Sequence, residues 1–208
     1  MPVRVHVGED IDPGKLARMR AFGAKDLARA YVAAGPNRIF VEEGAEPAIA
    51  EGNGSIGVAL LRPRPLDAIV VPVGDGALIT GIATWVKHHA PATRVVGVCA
   101  APGSGTQLAG EAISTNSIDT TADGIALRRP VMDAVNRMRV LVDDVVLVNE
   151  SALLDAMALV ARTVGVPLEP ASAASLAALS EQDIPGDRGA AVLTGANPRA
   201  DLVRRALA

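Results

Sequence analysis

The chain is short of sulfur, of aromatic rings and of amines. Its single cysteine, Cys99, excludes an internal disulfide and any multi-cysteine metal site. Such sparing cysteine use fits a reducing compartment and predicts a cytoplasmic protein. Only 2% of the 208 residues are aromatic although half are hydrophobic, so the core has to be built from Val, Leu, Ile and Ala, as in layered α/β proteins. A formal charge of -3 supplies no basic field for nucleic acid. The opening Met1-Pro2-Val3-Arg4-Val5-His6-Val7 meets Glu9 and Asp10 too early to form the apolar centre of a signal peptide. No apolar run is long enough to predict a membrane span. Lysine occurs three times, at Lys15, Lys25 and Lys87.

What is present is an alternation of strands and helices. Val3 to Val7 reads as a half-buried strand, Asp12-Pro13 opens a helix running to Gly23, and Asp26 to Ala34 forms a second helix. Arg38 to Val41 reads as a strand. A Gly-rich entry at Gly52-Asn53-Gly54-Ser55 leads into a short helix ending at Leu61. Further strands are expected at Ala68 to Val73, Arg94 to Cys99, Asp144 to Val148 and Ala190 to Thr194. Helices are expected from Leu78 to His89, Pro130 to Arg139, Ser151 to Thr163, Pro170 to Leu179 and from Pro198 onward. This order predicts a doubly wound parallel sheet, with ligand sites beyond the C-terminal strand ends.

The most informative segment is Ala68-Ile69-Val70-Val71-Pro72-Val73 followed by Gly74-Asp75-Gly76-Ala77 and a helix from Leu78. A buried strand turning through small residues into a helix aims free N–H groups and the positive helix end at one point, which suits a phosphate. A dinucleotide fingerprint fails on spacing. Its third glycine would fall at Ile79, and the strand ending at Cys99 carries no acid for a ribose.

Five stretches in order carry a resemblance: Gly52-Asn53-Gly54-Ser55-Ile56-Gly57, Pro72 through Ile79, Thr121-Ala122-Asp123-Gly124-Ile125-Ala126, Glu169-Pro170-Ala171-Ser172-Ala173 and Thr194-Gly195-Ala196-Asn197. Together they resemble the fold-type-II pyridoxal-phosphate enzymes, specifically the threonine and serine dehydratases. The resemblance implies that residues 45–208 form the large cofactor-binding domain and residues 1–44 a remnant of the smaller one. It implies pyridoxal 5′-phosphate as cofactor, its phosphate held by Gly74, Asp75, Gly76, Ala77 and Leu78. Thr194 would then meet the pyridine nitrogen, Glu169 would stand behind the cofactor, and Asn197 would brace the last turn. Helix capping and turn formation are equal readings of Glu169 and Asn197.

The sequence also departs from that pattern. The family's Ser-x-Lys segment, whose lysine bonds to the cofactor aldehyde, has no counterpart in these 208 residues. Lys87 lies about 14 Å of helix rise beyond the phosphate loop. No catalytic residue is therefore assigned, and the cofactor is expected to bind non-covalently. Asp75 replaces a glycine, and a carboxylate 4 Å from a phosphate costs about 4 kcal/mol in a surface-like dielectric, so Asp75 should point outward. Cys99 stands where dehydratases often carry a metal-ligating glutamate. It reads as a small buried hydrophobe, with no metal site expected.

The expected function is the cofactor-binding portion of a lyase that eliminates the β-hydroxyl of an amino-acid substrate to give a 2-oxo acid and ammonia. It would be inactive alone and completed by a lysine-bearing partner chain or a homo-oligomer. The alternative is a non-catalytic protein that binds a phosphorylated ligand or a partner.

Overall fold

The computed structural model describes residues 32–101, 119–127 and 130–208. The chain divides into two compact units, Met1–Glu42 and Glu43–Ala208. The strand expected at residues 3–7 and the helix expected at residues 12–22 lie outside the described residues, as does most of the helix expected at residues 26–34. In the first unit, residues 32 and 33 are helical, and Asn37 takes a left-handed conformation at φ 58°. Residues 38–41, expected as a strand, belong to no strand. Ile39 is 82% exposed, so this short apolar run gains little of the burial that holds a strand in a sheet.

The second unit has the order α1 (Pro47–Leu61), β1 (Ala68–Pro72), α2 (Ala77–His89), β2 (Arg94–Ala100), a 3₁₀ turn (Asp123–Ile125), α3 (Met132–Leu141), β3 (Asp144–Val148), α4 (Glu150–Val164), α5 (Pro170–Glu181), β4 (Gly189–Ala191) and α6 (Ala200–Leu207). Its four strands form a parallel sheet in the order β3-β2-β1-β4. The chain thus builds outward through β2 and β3, then returns to the other side of β1. Ligand crevices open where a doubly wound sheet reverses in this way.

The sheet is buried on both faces, which explains why its central strands are continuous runs of Val and Ile. Ile69, Val71 and Val73 pack with Ile79, Ile82 and Val86 of α2 and Met138 of α3. Val70, Val98 and Val148 point the other way, onto Leu153 and Met157 of α4 and the alanines of α5. Each such side chain contributes roughly 1.5–3 kcal/mol on burial. Helix α5 is enclosed along most of its length, with Ala171, Ala173, Ala174, Ala177 and Ala178 all buried. Small side chains on every face let it lie between the sheet and α4.

Two further expectations are corrected. The Gly52–Ser55 stretch is no entry loop but the middle of α1, whose start is set by Pro47 and by the Glu46 carboxylate accepting the Ala48 N–H. Its glycines answer to a neighbour: a Cβ on Gly54 would lie 3.3 Å from the Gly81 carbonyl, and one on Gly57 3.2 Å from the Ile82 carbonyl. The second correction is β4, which ends at Ala191 rather than Thr194. Val73 donates to Val98 of β2, so the preceding residue would have to donate toward β4. That residue is Pro72, which has no N–H. The β1–β4 ladder therefore stops at the Val192 N–H to Val70 bond of 2.9 Å, and the chain beyond it diverges.

Candidate cofactor site

The divergence opens a cavity of about 530 Å³ at the C-terminal ends of β1 and β4. Six segments line it: Glu43 ahead of α1, Asn53 within α1, the turn between β1 and α2, the 3₁₀ turn and the residues after it, the start of α5 and the chain after β4. The sequence-assigned residues Gly74, Asp75, Leu78, Glu169 and Thr194 all reach its wall. Gly76 and Ala77 do not. Gly76 sits in the left-handed region at φ 92°, where glycine alone is unstrained, and faces Ala134 and Met138 of α3. Ala77 is buried beneath the turn.

The first wall is the strand-to-helix turn. Gly74 permits close approach, since a Cβ there would lie 3.3 Å from the Gly124 carbonyl. The Thr80 hydroxyl donates to the Gly76 carbonyl at 2.7 Å, fixing the first turn of α2. Asp75, expected to point outward, lines the cavity, and its carboxylate accepts the Ala77 N–H at 3.0 Å. A free helix N-terminus attracts an anion, and Asp75 supplies one from within the turn. Glu43 joins it on the cavity wall. The residue as a whole is exposed, yet partial desolvation of its carboxyl, followed by the charge of Asp75, raises its pKa above the ordinary 4.5.

The second wall comes from α5 and the chain after β4. Glu169 precedes Pro170, the first residue of α5, but its carboxylate does not cap that helix. It reaches across to accept the Asn197 N–H at 3.1 Å, while the Glu169 N–H donates to the Gly195 carbonyl. Asn197 thus contributes backbone to the turn. The Ser172 hydroxyl accepts the Gly195 N–H and lies 3.0 Å from the Thr194 hydroxyl. The segment leading into the 3₁₀ turn is tied to α4 by Glu150, whose carboxylate accepts the Thr120 hydroxyl together with the Thr121 N–H at 3.0 Å and the Thr121 hydroxyl at 2.6 Å.

Sequence reasoning missed Glu43 and Ser172 as site residues. Ser172 could have been found as a hydroxyl in the first turn of a helix whose other early residues are small, whereas nothing local marks Glu43. Lys87 is engaged elsewhere: its ammonium donates to the Asp143 carboxylate at 2.6 Å and to the Thr93 carbonyl at 2.9 Å, near the N-terminal ends of β2 and β3. Lys15 and Lys25 lie outside the described residues. Cys99 is 4% exposed, and burial pushes its thiol up to about 12, so it stays a protonated core side chain. No group of described residues could hold a metal ion, and no described helix is long and apolar enough to cross a membrane.

A parallel α/β unit with a helix-start turn, a hydroxyl pair and a glutamate around one crevice at the C-terminal strand ends has the layout of a ligand-binding α/β domain. Residues 1–195 match the model of the pyridoxal-phosphate dependent enzyme family, and the chain belongs to that family. It is 33% identical over 214 residues to an L-threonine ammonia-lyase of Geobacter sulfurreducens, covering 95% of this chain and 53% of the relative. A second L-threonine ammonia-lyase, from Thermotoga maritima, is 32% identical over 172 residues, covering 80% of this chain and 43% of the relative. Among solved structures, maize serine racemase superposes with a TM-score of 0.86 at 23% identity, covering all of this chain and 69% of that one. The chain spans about half the length of the curated relatives it matches. The family's cofactor is pyridoxal phosphate, and the cavity fits it in size, in its glycine-lined turn and in the Thr194 hydroxyl. Its charge fits less well, since Glu43, Asp75 and Glu169 face it.

Proposed function

We propose that this chain is the cofactor-holding portion of a threonine- or serine-type ammonia-lyase, and that none of its own three lysines anchors the cofactor. The similarity to L-threonine ammonia-lyases supports the substrate class. The observation that carries the reading is the Ser172–Thr194 hydroxyl pair across the cavity from the start of α2. Bound pyridoxal phosphate supplies an electron sink for breaking bonds at the substrate α-carbon. The turn from Gly74 to Leu78 offers backbone N–H groups to the phosphate. With Ser172 donating to Thr194, the Thr194 proton is free to meet the pyridine nitrogen, and a neutral hydroxyl there leaves that nitrogen unprotonated. Glu169 holds the turn at Gly195 and Asn197, and Leu78 and Ile125 supply apolar wall that keeps water from the reacting face.

Alone, the chain is expected to retain the cofactor on equilibrium dialysis but to release no 2-oxo acid from threonine or serine. Borohydride treatment followed by mass spectrometry should find no lysine carrying a reduced pyridoxyl group. A stable adduct on Lys15, Lys25 or Lys87 overturns the assignment. A second reading, a non-catalytic module for a phosphorylated ligand or a partner chain, draws on the engagement of Lys87 with Asp143. It predicts that supplying a lysine-bearing homologous segment restores no turnover.

A further inference from the structure

We propose that Asp75 is a resident anion at the start of α2, competing with the cofactor phosphate for the same backbone donors, so that this chain grips the phosphate weakly. The inference rests on the pyridoxal-phosphate reading of the cavity. Four observations carry it. The Asp75 carboxylate already accepts the Ala77 N–H at 3.0 Å, one of the amides at a helix start that has no partner within the helix. The Asp75 backbone is closely packed against Gly44: a Cβ on Gly44 would lie 2.9 Å from the Asp75 Cβ and 3.0 Å from Val131. The Gly44 carbonyl is in turn pinned at 3.0 Å by the Arg137 guanidinium. The backbone that carries Asp75 is thus set in a packed turn beside the start of α2. Finally, the described lining of the cavity bears the carboxylates Glu43, Asp75 and Glu169 and no lysine or arginine.

The consequence is selectivity. A phosphate at the start of α2 would have to displace or face Asp75, while Thr194, Gly124 and Leu78 are the lining residues that would receive the ring and its substituents. The affinity gained from the phosphate group should be small, and removing the Asp75 charge should recover it.

The test uses the full chain and two probes that lack an aldehyde and cannot bond to lysine, pyridoxine 5′-phosphate and pyridoxine, titrated by calorimetry. Asp75→Asn keeps an oxygen for the Ala77 N–H and removes the charge. Asp75→Gly removes both, and circular dichroism verifies that each variant is folded. Both variants are expected to bind pyridoxine 5′-phosphate at least about tenfold more tightly than the parent, with pyridoxine changed by less than about twofold. Thermal midpoints in inorganic phosphate should rise further for the variants than for the parent. Unchanged or weaker binding of the phosphorylated probe by folded Asp75→Asn overturns the inference while leaving the cofactor reading intact. Failure of both probes to bind any of the three proteins overturns the cofactor reading, and this inference with it.

Discussion

Gly81 of α2 faces the Ala50 carbonyl of α1 so closely that an added methyl group would overlap the oxygen. Gly81→Ala is accordingly expected to force the two helices apart and to cost about 3 kcal/mol, the upper part of the range for overpacking. Gly52→Ala on the same α1 helix is the control, since nothing lies within 4 Å of its Cβ position. There the substitution should stabilise by about 0.5–1 kcal/mol through helix propensity alone. Urea denaturation of the two variants should move the midpoint in opposite directions.

The glycines of α1 also show where sequence reading stops. Gly52-Asn53-Gly54 looks like a turn when judged by local conformational preference, and only the non-local approach of Gly81 reveals a helix interior. β1, β2, β3, α2, α4 and α5 were legible because their signals are local: continuous Val and Ile runs, Pro170 at a helix start, and Gly165 at φ 75° past a helix end. The early end of β4 was not legible, because it follows from Pro72 on the adjacent strand. Glu169 and Thr194 could be placed on the cavity through ordered motifs. Glu43 is brought there only by folding, and the direction of Asp75 is set by the Ala77 N–H beside it.

Asp143, just ahead of β3, ties α2 and β2 to that strand through Lys87 and the Val95 N–H. Partial burial works against its ionisation, but hydrogen bonds from Lys87 and the Val95 N–H, with the charges of Lys87 and Arg94, hold its pKa below the ordinary 3.8. A depressed carboxyl stabilises the fold above its unfolded pKa and loses that contribution as pH falls through the folded value. Asp143→Ala should therefore cost about 1–3 kcal/mol at pH 7, chiefly from the unpaired Val95 N–H. The gap to the parent should narrow below pH 3.8 in acid denaturation followed by circular dichroism.

Glu43 has the opposite sign. Its raised pKa means that the folded chain favours the protonated form, so its contribution to folding is full below the ordinary 4.5 and is lost as pH rises through the folded value. Glu43→Gln should raise the thermal midpoint at pH 7 and leave it unchanged below pH 4.5. A midpoint lowered at pH 7 would show that the ionised carboxylate is needed by the fold.

Ser172 and Thr194 should behave as a coupled pair. Ser172→Ala leaves the Gly195 N–H without its acceptor, at a cost of about 1–3 kcal/mol, whereas Thr194→Val removes the hydroxyl proposed to meet the pyridine nitrogen. Binding of pyridoxine 5′-phosphate to the two single variants and the double variant should give a coupling energy of about 0.5–1.5 kcal/mol. Strict additivity would mean that Ser172 supports only the turn.

The enclosure of α5 by sheet, neighbouring helix and 3₁₀ turn ties the cavity floor to the most protected part of the molecule. Amides along residues 173–178 should exchange with deuterium only when the whole second unit opens. The Thr120–Leu127 segment is tied to α4 through the Glu150 carboxylate and carries a 3₁₀ turn of three residues, and it should exchange far sooner. Ligand entry would then proceed by movement of that rim over an immobile base, and a bound ligand would slow exchange at the rim without altering the base.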